Sequence, residues 1–179
     1  LSHELGFEMH LVLAFKKRYR IVSSTGIRQL VAKGQVDKVQ GLLGRPFFVT
    51  GKVVQGAGRG RMLGVPTANV AYEESFGLML PCQGVYVVKV VLGKKVYQAV
   101  ANLGTRPSFD NQISRLYLEV YILDFSKNIY GCCLKVEFLK RIRQEKKFAR
   151  VQDLMKAIKK DKAFAKAYFL KDNVIIDNK

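Results

Sequence analysis

The chain has 179 residues, 49% of them apolar, which suffices for one ordinary domain with a core and a small second piece. Lys and Arg number 31 against 14 Asp and Glu, and the resulting +17 implies an anionic partner or a basic surface, leaving nucleic acid, phosphorylated small molecules and acidic membranes open. The longest apolar runs are strand-sized and broken by lysine, so no membrane-spanning helix is expected, no secretory signal is visible, and 3 cysteines without metal-ligand spacing indicate a reduced, cytosolic chain.

Residues 1–44 differ in texture from the rest. HELGF (3–7) suggests a zinc-protease helix, but Phe7 stands where the second histidine ligand is required. MHLVLAF (9–15) predicts a buried strand with His10 as an ordinary strand residue, and KKRYR (16–20) an exposed basic run. SSTGIRQLVAKG (23–34) predicts a short helix capped by Ser23 or Ser24 and stopped by Gly34. QVDKVQGLLG (35–44) predicts a second helix ended by Gly44. One strand and two short helices cannot close a core, so this segment reads as the tail of a larger α/β domain.

After Arg45 and Pro46 the pattern turns to β. FFVTGKVV (47–54), GVYVVKVVL (84–92), KVYQAVANL (95–103), SRLYLEVYIL (114–123) and CLKVEFL (133–139) are rich in Val, Tyr, Phe and Leu and are separated by turn residues. Strands at this spacing, with no helices between them, imply an antiparallel barrel or sandwich. Gly93 and Lys94 predict a tight hairpin. Phe148, Val151, Leu154, Ile158, Ala165 and Phe169 predict one amphipathic helix packed on the barrel, followed by a short tail, KDNVIIDNK (171–179).

Chemistry concentrates in VVQGAGRGRMLGVPTANV (53–70). Gly56, Gly58, Gly60 and Gly64 let backbone amides approach a ligand, and amides beside arginines suit phosphate. The loop is neither a Walker loop, lacking GK[ST], nor a dinucleotide fingerprint, because Pro66 forbids the helix. A mobile hairpin is the bland alternative. In an extended segment Thr67 and Asn69 project to one side, and their neutral oxygens suit a magnesium ion that already carries phosphate oxygens and water. A capped turn would use the same residue types.

In RLYLEVYIL (115–123), Leu116, Leu118, Val120 and Ile122 alternate onto one face and leave Tyr117, Glu119 and Tyr121 on the other. Glu119 is then outside the barrel, either merely solvated or able to accept a proton from a hydroxyl during phosphoryl transfer. RIRQEKKF (141–148) either holds a planar, amide-bearing ring or forms a basic turn anchored by Phe148.

In this order, GAGRGRMLGVPTAN (56–69), GVY (84–86), ANLGTRPSF (101–109), LEVYILDF (118–125), IYG (129–131) and RIRQEKKF resemble the riboflavin kinase family. The resemblance implies a mainly β fold, a six-stranded antiparallel Greek-key barrel with a C-terminal α-helix. It implies transfer of the ATP γ-phosphoryl to the ribityl 5′-hydroxyl of riboflavin, giving FMN. Carried over by position, Gly56, Gly58, Gly60 and Arg61 would close on the phosphates, and Thr67 and Asn69 would hold Mg2+. Glu119 would orient and deprotonate the hydroxyl. Ile122, Asp124 and Tyr130 would lie near the nucleotide, and Arg143, Lys146 and Phe148 near the flavin.

Upstream, VSSTGIRQLVAKGQVDKVQGLLGRPF (22–47) is similar to the junction of the bacterial bifunctional riboflavin kinase/FAD synthetase family. That resemblance implies a nucleotidyltransferase remnant over residues 1–44, a kinase domain over 45–179, continuity with an FAD synthetase domain in the full-length protein, and Ser23, Ser24, Thr25 and Arg28 left inert. The sequence departs from the family at Tyr121, where histidine is frequent, at Ser108, where threonine is common, and at Gly131-Cys132-Cys133, where Gly-Lys is usual. The reading from another class is a basic β-barrel that binds nucleic acid through lysines and exposed tyrosines. A flavin-binding protein without turnover is a third, against which Thr67, Asn69 and Glu119 argue.

Overall fold

The computed structural model describes residues 5, 6, 8, 10, 13–17, 20–56, 58, 60, 63–72, 79–105 and 116–176. Its first elements are two short antiparallel strands, β1 (Lys16–Lys17) and β2 (Arg20–Ile21), and two helices, α1 (Ser24–Ala32) and α2 (Val36–Leu43). Ser23 caps α1, its hydroxyl accepting from the Gly26 amide, while Gly34 and Gly44 take the left-handed conformation that ends each helix. The buried strand expected over 9–15 does not form in its described part. His10 and Leu13 to Phe15 lie outside any strand, with Leu13 83% and Phe15 66% exposed. Apolar content alone cannot make a strand without a neighbour to pair with.

The remaining strands are β3 (Phe47–Val54), β4 (Ala68–Ala71), β5 (Gly84–Leu92), β6 (Lys95–Thr105), β7 (Leu116–Ile122) and β8 (Cys133–Arg143). They close a barrel in the order β3-β4-β7-β6-β5-β8, with every neighbouring pair antiparallel. Strands β5, β6 and β7 follow one another as a meander and β4 returns beside β7, which is the Greek-key arrangement. The β5–β6 hairpin turns at Gly93, whose φ is 59°, with Leu92 paired to Lys95. Strand β8 runs on through Arg141, Ile142 and Arg143, so the first half of RIRQEKKF is strand rather than turn.

Val49, Val53, Val70, Tyr86, Val88, Leu103, Leu118, Val120, Leu134, Val136 and Phe138 fill the barrel. Tyr86 meets Phe138 edge to face, with centroids 5.3 Å apart. The apolar run of β5, broken only by Lys89, reflects burial on both faces. Its alternate residues, Val85 and Val87, join Val100, Leu123 and Leu139 beneath Ala165 and Phe169 of α3 (Val151–Ile176). Helix α3 extends through most of what reads as a tail, because its lysine-rich turns need only one buried stripe. Val151, expected on that stripe, is instead exposed at the first turn.

Residues 24–44 pack on the barrel. Val31, Val36 and Val39 are buried, and Val36 belongs to the barrel core. A Cβ on Gly34 would come within 2.7 Å of Cys82 Sγ and 2.8 Å of Tyr86 Oη, so the α1–α2 turn fits only as glycine. Asp37 on α2 pairs with Lys140 on β8 at 2.7 Å.

Candidate functional site

Strand β4 gathers the site. Its residues ANVA are too few and too small to be seen as a strand in the sequence, yet they bridge β3 and β7. Asn69 is the register partner of Val54 on one side and of Glu119 on the other. Glu119 in turn faces Asn102 on β6. Directly opposed residues in antiparallel strands share a face, so Asn69, Glu119 and Asn102 form one row across the outside of the barrel. Leu118, Val120 and Ile122 point into the core, as the alternation of β7 requires.

The glycine loop lies on this row. A Cβ on Gly56 would overlap the side-chain amide of Asn69, and one on Gly60 would overlap the Val65 carbonyl oxygen and stand 3.1 Å from Thr67 Oγ1. Glycine is therefore required at both positions by close approach rather than by dihedral angle. Gly60 also accepts from the Leu63 and Val65 amides, at 3.2 and 2.8 Å, which turns the chain back toward Pro66. Gly58 has φ 70° and open space around it. Arg61 and the RPSF part of ANLGTRPSF lie outside the described residues.

A cavity of about 430 Å³ opens at this end of the barrel, lined by Thr67, Val53, Ile122, Phe125, Ile129 and Tyr130 among others. Three expected nucleotide residues, Thr67, Ile122 and Tyr130, thus share one wall. Asp124 does not line it. Its carboxylate pairs with Lys166 on α3 at 3.1 Å, and its φ of 52° marks the turn that leaves β7. Phe125, Asn128 and Ile129 form much of the cavity, and only the loop closure after β7 reveals them.

A second cleft, of about 540 Å³, is lined by Ala32, Leu80, Pro81, Leu116, Arg141 and Glu145 together with neighbouring polar groups. Arg141 donates to the Gln83 carbonyl at 2.5 Å, and its buried Nε has no hydrogen-bond partner among the described residues. Arg143, two residues on, faces elsewhere. Its guanidinium forms a bidentate pair with Asp161 of α3, Nε to Oδ1 at 3.0 Å and Nη2 to Oδ2 at 2.8 Å. It also stands 5.8 Å from the Phe148 ring, and Lys146 stands 6.0 Å from the same ring. Arg143, Lys146 and Phe148 are brought together, with Arg143 tied to the helix. Tyr121 turns toward α3 as well, its hydroxyl accepting from Lys162 at 2.9 Å.

The sequence model of the flavokinase (riboflavin kinase) family matches residues 43–169. The chain belongs to the riboflavin kinase family. A bifunctional riboflavin kinase/FMN adenylyltransferase of Bacillus subtilis is 40% identical over 149 residues, 83% of this chain and 46% of that protein. The crystal structure of a macrolide-efflux protein from Streptococcus pneumoniae is similar over 87% of this chain and 50% of that one, at 37% identity and a TM-score of 0.79. The riboflavin kinase of Trypanosoma brucei is similar over 71% of this chain and 82% of its own, at 27% identity and a TM-score of 0.50. The chain spans about half the length of the curated relatives it matches. This riboflavin kinase family barrel carries no helix, among its described residues, long and apolar enough to cross a membrane.

Proposed function

We propose that this chain transfers the γ-phosphoryl group of ATP to the ribityl 5′-hydroxyl of riboflavin, giving FMN and ADP. One observation carries the reading: Gly56 lies against Asn69, and Asn69 is paired in register with Glu119. A phosphate-admitting loop, a neutral oxygen ligand and a carboxylate then meet at one point on the barrel wall. Glu119 accepts the proton of the attacking hydroxyl as the new P–O bond forms and the bond from the γ-phosphorus to the ADP oxygen breaks.

Thr67 and Asn69 would hold a magnesium ion, which would neutralise phosphate charge when bound. The donor set fits this. It supplies two uncharged oxygens, which suit an ion that arrives with phosphates and water. The cavity walled by Thr67, Ile122 and Tyr130 suits the nucleotide, while Arg143, Lys146 and Phe148 border the flavin.

Residues 1–44 read as the adenylyltransferase side of the junction with the kinase barrel. Ser23, whose hydroxyl caps α1, has a structural use here. Incubation with riboflavin, ATP and Mg2+, resolved chromatographically, is expected to yield FMN without FAD. FAD would overturn the expectation of kinase activity alone, and absence of FMN from folded protein would overturn the kinase reading. Nucleic-acid binding is not favoured, since it gives no reason for the glycine loop to sit on Asn69.

A further inference from the structure

Cys132 and Cys133 follow directly on the IYG motif, and the proposed chemistry uses neither. Both are free and exposed, whereas the third cysteine, Cys82, is half-buried with its Sγ 3.6 Å from Tyr86 Oη. The turn that carries the pair is bonded to the cavity beside Thr67 on two sides. The Cys132 amide donates to the Ile129 carbonyl at 3.1 Å, and the Cys132 carbonyl accepts from the Val53 amide at 2.8 Å. The Gly131 amide donates to the Val53 carbonyl at 2.9 Å. Val53 and Ile129 both line that cavity, as does Tyr130, the residue before Gly131. Cations flank the thiols: Lys52 is the register partner of Cys133, and Lys127 stands on the cavity wall.

We propose that Cys132 is an S-thiolation site for anionic low-molecular-weight disulfides, and that the adduct obstructs the nucleotide cavity. The Cys132 thiolate attacks one sulfur of the disulfide, and a new S–S bond forms as the old one breaks. The released thiolate takes up the proton that the Cys132 thiol gave up, so the cysteine is oxidised and one half of the reagent is reduced. Cys133 does not resolve the adduct by closing on its neighbour. Consecutive Cα atoms stand about 3.8 Å apart, closer than the roughly 4.4 Å that a disulfide spans at its shortest, and pairing with Lys52 holds Cys133 in β8. The adduct therefore persists until an external thiol removes it. Its bulk and negative charge then sit on the bonded turn, beside the wall that takes an anionic nucleotide. Cys133 precedes the buried Leu134, so strand alternation puts it on the outer face with Lys52. The effect on the nucleotide rests on the reading of this cavity given above; the modification itself does not.

The test incubates the full chain with glutathione disulfide, maps adducts by peptide mass spectrometry, and titrates MgADP and riboflavin separately against treated and untreated protein. The expected result is an adduct on Cys132 and none on Cys82, with MgADP affinity about fivefold weaker and riboflavin affinity unchanged. Dithiothreitol should reverse both the adduct and the weakening. Cys132→Ser, treated in the same way, should keep the affinity of untreated protein. An unmodified Cys132 overturns the site. Unchanged MgADP affinity in fully modified protein overturns the obstruction, and so does a loss that persists in Cys132→Ser. Equal weakening of both ligands overturns it too, since the adduct then acts on the fold at large. An untreated chain that binds no MgADP strikes the nucleotide reading and the obstruction with it, and the adduct map then decides the modification site alone.

Discussion

Glu119 owes its position to strand alternation and to two register partners, Asn69 and Asn102. Replacing it by Gln keeps the shape and hydrogen bonding while removing the proton acceptor. Glu119→Gln is therefore expected to slow phosphoryl transfer by about 100-fold or more, with flavin affinity retained. Single-turnover rates alongside a flavin titration check this, and wild-type turnover would sink the assignment. Gly56→Ala probes the same site from the loop. The added methyl group must displace either the loop or the Asn69 amide, so KM for the magnesium nucleotide should rise about tenfold or more while the thermal midpoint changes little. A KM equal to that of the unsubstituted protein would mean that Asn69 does not serve the nucleotide.

Among the elements, α3 is fastened to the barrel by a buried stripe and by ion pairs, of which Arg143–Asp161 is the more buried and Asp124–Lys166 the more exposed. Asp161 is 5% exposed and holds the Arg143 guanidinium with two oxygens. Removing the carboxylate leaves a partly buried cation unpaired, so Asp161→Ala should cost on the order of 3 kcal/mol, read as a lower denaturation midpoint. Helix α2 is held by a more exposed pair. Burial opposes the charge on Asp37, but the hydrogen bond and charge of Lys140 prevail and keep its carboxyl below the ordinary 3.8. A lowered carboxyl contributes stability above its unfolded value, and that contribution is lost as pH falls through the folded one. Asp37→Asn should therefore melt slightly below the parent chain above about pH 5, by less than about 1 kcal/mol, and the gap should close on acidification. A gap that widens in acid would refute the pairing.

At the scale of the molecule, the segment before the barrel is part of its packing. Val36 contributes to the barrel core, and Val31 and Val39 are buried with it. Deleting residues 1–44 would expose this end, at a cost on the order of 3 kcal/mol or more. The chain starting at Arg45 should show a clearly lower thermal midpoint, whereas equal midpoints would make the segment a passenger. The +17 charge spreads over strands, loops and the lysines of α3 instead of collecting at one motif.

Much of this was legible in the sequence because its causes are local. β-rich composition between turn residues identified five of the six barrel strands, a two-residue glycine turn set the β5–β6 register, and left-handed glycines ended both short helices. The order of the motifs named the family. What depended on distant partners was not legible. MHLVLAF had the composition of a strand, but its described residues form none, and ANVA lacked the composition yet became β4 because two neighbours receive it. Arg141 and Arg143 stand two residues apart in RIRQEKKF, and the shifted β5–β8 register between Val85 and Tyr86, together with the packing of α3, gives one to Asp161 and leaves the other at the cleft. The place of Asn102 beside Glu119 escaped notice for the same reason: the register between β6 and β7 spans the long connection over 106–115, and no short turn fixes it in advance. Sequence by itself determined which residues could do chemistry and, where alternation is unbroken as in β7, which face of the strand they occupy, since side-chain period and turn geometry are properties of the local backbone. Only the closed barrel decided which of them meet, because register across non-adjacent strands is set by the packing of the whole core.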